Sequence, residues 1–139
     1  MRHVFTKKSV LSQQLVEKMI GQAIEKAVEL NIKVSVAVVD DGGNLFGFMR
    51  MDGAKVIPSN IAQNKAYTAV GFGISTADWY DRIKDKPALL HGMVHTDRMT
   101  IFGGGQPIYD GEDLIGGIGV SGGSQEQDDL CALSALSVF

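Results

Sequence analysis

Residues 101–123 read IFGGGQPIYDGEDLIGGIGVSGG, a strand-forming pattern broken repeatedly by glycine. Glycine inside a strand costs conformational entropy and offers no side chain to pack, so it marks a bulge or a point where another group comes very close. Gly116, Gly117 and Gly119 sit inside the strand pattern itself. That predicts backbone pressed against another surface, either a ligand or a subunit. Residues 106–109 and 114–120, joined by the Asp110-Gly111 turn, form a predicted hairpin. With 17 Gly against 3 Pro in 139 residues, the chain holds many tight backbone positions and no linker-like tract.

The other segments are easier to place. Leu15, Val16, Met19, Ile20, Ala23, Ile24, Ala27 and Val28 recur at helical spacing over residues 12–29, opposite Glu17, Lys18, Gln22, Glu25 and Lys26. Ser12 is the expected N-cap and Asn31 the expected stop. Two β-rich runs, 34–39 and 44–51, flank Asp40-Asp-Gly-Gly43 and predict a first hairpin. Phe46 and Phe48 fall on one face of its second strand, Leu45 and Met49 on the other, so both faces should be covered. Pro58 and Ser59 open a second helix that ends at Gly71 and Gly73. Ser75 caps a short helix running to about Ile83, and residues 85–90 read as loop. Ser124-Gln-Glu-Gln127 is a capping box for a last helix carrying Leu130, Leu133, Leu136 and Phe139. The order is helix, hairpin, helix, short helix, strand, hairpin, helix, an α+β arrangement in one domain over residues 1–139.

Composition excludes several classes. A net charge of −3 and a pI near 5.5 lack the basic face of a nucleic-acid binder. No stretch approaches the roughly 20 apolar residues that cross a bilayer. The single Cys131 rules out an internal disulfide, and with no export signal the expected location is the reducing cytoplasm.

Several groups carry candidate chemistry. His91 and His95 share an i, i+4 spacing, but Gly92 between them argues against a helix and so against a two-histidine metal site. A lone His95 ligating the iron of a planar group needs less geometry. Arg50 and Asp52 end the second strand of the first hairpin, where they either close a turn as a pair or grip a carboxylate ligand, with Glu126 as a further proton acceptor. Gly103, Gly104 and Gly105, like Gly122 and Gly123, fit neither phosphate-loop motif. Glu126, Asp128 and Asp129 already answer the positive end of the last helix. Cys131 reads as a buried structural thiol.

The blocks Val38-Val-Asp-Asp-Gly-Gly43, Arg50-Met-Asp-Gly-Ala54, Asn64-Lys-Ala-Tyr-Thr-Ala-Val70, Ile101-Phe-Gly-Gly-Gly105 and Gly116-Gly-Ile-Gly-Val-Ser-Gly-Gly-Ser-Gln-Glu-Gln-Asp128 stand in this order along the chain. In this the sequence resembles the GlcG/HbpS-like family, which includes the C-terminal domain of PduO adenosyltransferases. The resemblance implies a profilin-like fold, a five-stranded antiparallel sheet with helices on both faces. It also implies a homo-oligomer, often an octamer, and a haem or tetrapyrrole-binding accessory role. Family members stand beside glycolate use or cobalamin-dependent diol and glycerol metabolism, so a small organic acid or hydroxylated metabolite is the alternative ligand, and a non-catalytic assembly role a further one. Carried onto this chain, the resemblance makes His95 the candidate iron ligand with Thr96 beside it. Lys65 and Arg98 become candidate propionate partners, and Gly103, Gly104 and Gly105 a turn where a flat ligand can approach. One branch places a ligand on the N-terminal helix; here that helix has no histidine, and His3 lies upstream of it.

Overall fold

The computed structural model describes residues 4–139; His3 lies outside the described residues. Helix α1 (Gln13–Glu29) leads into the hairpin β1 (Ser35–Asp40) and β2 (Leu45–Arg50), followed by α2 (Ile57–Phe72). A 3-10 turn (Thr76–Asp78), α3 (Trp79–Ile83), α4 (Pro87–Gly92) and a second 3-10 turn (Met93–His95) come next. The chain closes with β3 (Gly105–Asp110), β4 (Asp113–Ser121) and α5 (Gln125–Leu136).

Local chemistry sets most boundaries. Ser12 Oγ accepts from the Leu15 N–H at 3.1 Å and starts α1. Asn31, at φ 57°, takes the left-handed conformation that stops it. Gly73 caps α2 at φ 71°, whereas Gly71 lies within that helix. At α5 the Ser124 side chain and Gln127 exchange hydrogen bonds in a full capping box.

The strands form one antiparallel sheet in the order β2-β1-β4-β3. Helices α1 and α5 cover one face, packing Val16, Met19, Ala23, Cys131 and Ala135 onto Val36, Val38, Ile108, Ile118 and Val120. Helix α2 covers the other, packing Ala62, Ala66 and Val70 onto Ala37 and Val39. Each buried Val or Ile contributes about 1.5–3 kcal/mol relative to exposure.

The glycines of β4 explain how α2 can sit so low. A Cβ on Gly119 would overlap the Ala62 carbonyl oxygen and come 2.6 Å from the Ala66 N–H nitrogen; one on Gly117 would overlap the Ala66 carbonyl. The surface they meet is the chain's own helix, and neither a ligand nor a subunit is needed to account for them.

Three expectations are corrected. The sheet has four strands, not five, because residues 96–104 spend their amides elsewhere: Thr100 N–H donates to Thr68 Oγ1 at 2.9 Å and Gly103 N–H to Gln125 Oε1 at 3.0 Å. Positive φ at Arg98 (62°) and Gly104 (125°) also breaks any extended run there. The segment read as loop holds α4, since Pro87 at its first turn presets a helical φ and Gly92 falls only at its end. Finally, β2 is an edge strand whose Leu45 and Met49 are 54% and 50% exposed, so this chain alone does not cover both its faces.

Candidate functional site

Between α3 and β3 the chain runs over the surface of α2, and Thr68 fixes it there. Its hydroxyl donates to the Arg98 carbonyl at 3.0 Å and accepts the Thr100 N–H. The left-handed Arg98 lays its guanidinium 3.9 Å over the Tyr67 ring, which orients the fork and leaves its edge donors available. Just before this clamp, α4 and its 3-10 extension stand out from the body: none of the six residues of α4 or the three that follow is buried. Leu89 and Val94 are 44% and 47% exposed, and His95 and Thr96 are open to solvent. The His95 imidazole is exposed and makes no hydrogen bond to another protein group among the described residues. His95, Thr96 and Arg98 thus share one surface segment.

Lys65 is elsewhere in role. At 1% exposure its ammonium donates to the Val120 carbonyl at 2.8 Å and to Asp128 Oδ2 at 3.1 Å. Asp128 also accepts the Gly123 N–H at 2.8 Å, so the pair ties α2, the end of β4 and the start of α5 together. Burial pushes the Lys65 ammonium below its usual range, and the carboxylates of Asp128 and Asp129 pull it back. A lysine so enclosed does not reach a ligand's propionate; that expectation is replaced by a structural role. Gly104 and Gly105 belong to the same enclosed region. A side chain on Gly104 would meet the Lys65 ammonium, and one on Gly105 would meet Thr76, whose hydroxyl accepts the Gly105 N–H at 2.9 Å. Neither offers a flat ligand an approach.

Gly103 differs in that its backbone, though buried, lines a cleft. It joins Ile101 and Phe102 as one wall of a cleft of about 850 Å3, facing Ala77, Tyr80 and Asp81. The first turns of α5 supply the remaining wall through Gln125, Glu126, Asp129 and Leu130. Glu126 therefore lines a cleft that Arg50 and Asp52 do not. Those two lie exposed at the end of β2 with no ion pair between them among the described residues, so neither the turn-closing pair nor the three-residue acid grip is assembled. Tyr80, Asp81, Phe102 and Asp129 were not legible as site residues; the sole sequence signal was Ile101-Phe102 ahead of the three glycines.

The remaining titratable groups are quieter. Cys131 is buried, and burial with Asp128 nearby pushes its thiol up to about 11, which fits an inert thiol. No group of three or more metal-ligating side chains occurs among the described residues. No helix of the described residues is long and apolar enough to cross a membrane.

A family model described as haem degrading protein HbpS-like matches residues 11–137. The chain belongs to this family. An uncharacterized 15.0 kDa protein from the dhaT-dhaS intergenic region of Citrobacter freundii is 44% identical over 125 residues, 88% of this chain and 87% of that protein. The crystal structure of Klebsiella pneumoniae protein ORFY superposes with a TM-score of 0.91 at 34% identity, covering 99% of this chain and 95% of that one. That of a PduOC:heme complex does so at 0.87 and 33%, covering 94% and 96%. Proteins named GlcG and PduO are also relatives, which bears out the resemblance read from the glycine-bearing blocks.

Proposed function

We propose that this chain is a haem or tetrapyrrole-binding accessory protein that takes its ligand on the α4 surface, with His95 as the iron ligand. The carrying observation is the segment Pro87 to His95, which presents apolar side chains and an exposed imidazole and has no fully buried residue of its own. A folded chain gains little by ordering such a segment unless something covers it. The donor set fits the group: imidazole for iron, Leu89 and Val94 for the porphyrin face, Arg98 for a propionate, and Thr96 as a neighbouring hydroxyl. Likeness to the PduOC:heme complex over 94% of the chain supports the same reading. Bound haem would supply an iron centre able to exchange an axial ligand or an electron; the residues named here bind and orient it.

The exposed edge strand β2, with Leu45, Phe46 and Met49, supports a homo-oligomer in which a second copy covers that edge. A buried free thiol suits a protein of the reducing cytoplasm. Haemin titration followed at the Soret band tests the ligand proposal. We expect a saturable band for the wild type and at least about a tenfold weaker affinity, with a shifted maximum, for His95→Ala. An unchanged band and affinity in His95→Ala would remove His95 as the ligand.

A further inference from the structure

The cleft beside α3 has a charge character opposite to what a dianionic porphyrin needs. We infer that it binds a small organic cation with an aromatic or apolar body, at a site separate from the His95 surface. Its volume of about 850 Å3 lies within the range of small-molecule sites, roughly 300–1,000 Å3. Two aromatic rings, Tyr80 and Phe102, line it and both are exposed; the negative face of Tyr80 is available to a cation, while Phe102 already has the Lys65 ammonium over its ring. Three carboxylates line it as well, and no Lys, Arg or His does.

Each charge facing the cleft can be followed to its partners. Asp81 shares its Oδ1 with Lys84 at 3.4 Å, an exposed and weak pair. Asp129 Oδ1 accepts the neutral Gln106 Nε2 at 2.8 Å, which holds the carboxylate in place without cancelling its charge. Glu126 has no partner among the described residues. Lys65 stands 5.2 Å from the Phe102 ring centre, but it is buried, does not line the cleft, and is matched by Asp128. Glu126 and Asp128, in the first turn of α5, offset that helix's positive end. The lining itself carries net negative charge, with Glu126 as its carboxylate without a side-chain partner among the described residues, over an apolar, aromatic floor. A carboxylate ligand is repelled there, whereas an ammonium is held by the carboxylates while its body packs on the rings. Bare backbone at Gly103 lets the two walls approach: a Cβ there would stand 3.0 Å from the Gln125 carbonyl and 3.6 Å from the Ala77 Cβ.

The test is a titration of the full chain with benzyltrimethylammonium, and with benzoate as an anion of related shape. Trp79, the only tryptophan and the neighbour of Tyr80, serves as fluorescence reporter, and calorimetry as the second readout. We expect saturable binding of the cation and none of benzoate over the same range. Glu126→Gln combined with Asp129→Asn keeps side-chain shape and the acceptor for Gln106, and should weaken the cation about tenfold or more. Ala77→Phe should fill the cleft and abolish binding; circular dichroism confirms that each variant folds, and the amide pair decides if Ala77→Phe does not. His95→Ala should bind the cation as wild type does, so failure of the haem reading and failure of this one are separable. No saturable binding by either readout, benzoate binding as well as the cation, unchanged affinity in the amide pair, or displacement of the cation by haemin would each overturn the inference.

Discussion

The α2–β4 contact and the α4 segment are opposite solutions to having apolar surface. At the first, glycines in β4 let a helix descend until backbone meets backbone, and nothing there is open to solvent. At the second, Leu89, Val94 and His95 are displayed on a short helix and its 3-10 extension, neither of which has a fully buried residue. The difference teaches where stability and binding are separated in this molecule. The first region holds the fold and tolerates no added atom; the second adds little to the fold and is free to bind.

Four variants sharpen that contrast. The largest effect should come from Lys65→Met, which leaves the Asp128 carboxylate buried without its cation; we expect a loss of about 3–5 kcal/mol in urea unfolding. Gly119→Ala comes next, at about 3 kcal/mol, the upper end of ordinary overpacking, because the obstructing atom is helix backbone and cannot turn aside. A third effect depends on pH. The Cys131 thiol is raised from 9.0 to about 11, so the unfolded chain releases its proton first and stability should fall as pH rises through that window. The limiting slope is about 1.4 kcal/mol per pH unit. Lys65, whose ammonium is held below its usual range, works in the opposite sense at alkaline pH. Comparing the pH slopes of wild type and Cys131→Ala between pH 9 and 11 isolates the thiol, and the variant should show the shallower fall. Smallest of all, Leu89→Ala with Val94→Ser should change stability by less than about 0.5 kcal/mol per site, as surface substitutions do. A large loss there would erase the contrast.

Legibility followed the range of the interactions. The caps at Ser12, Asn31 and Ser124 were readable because each is a local hydrogen-bonding device spanning a few residues. The glycine strand was readable as a close approach, but its partner was not, since α2 lies some fifty residues upstream and meets β4 only through tertiary packing. Helix α4 was missed because Pro87 was weighed as a loop residue when it opens the helix, and Gly92 as a breaker when it sits at the last position. Lys65 was misread as a surface cation because no local pattern announces an ion pair with Asp128. The cleft was nearly invisible for a similar reason: its three walls come from segments far apart in sequence.

Hydrogen–deuterium exchange of the full chain, with and without one equivalent of haemin, tests the division between fold and binding surface most directly. Protection gained over residues 87–98, with α2 and β4 unchanged, is the predicted footprint. Protection confined to the cleft walls around Tyr80 and Phe102, or an unaltered 87–98 segment at saturating haemin, would contradict it.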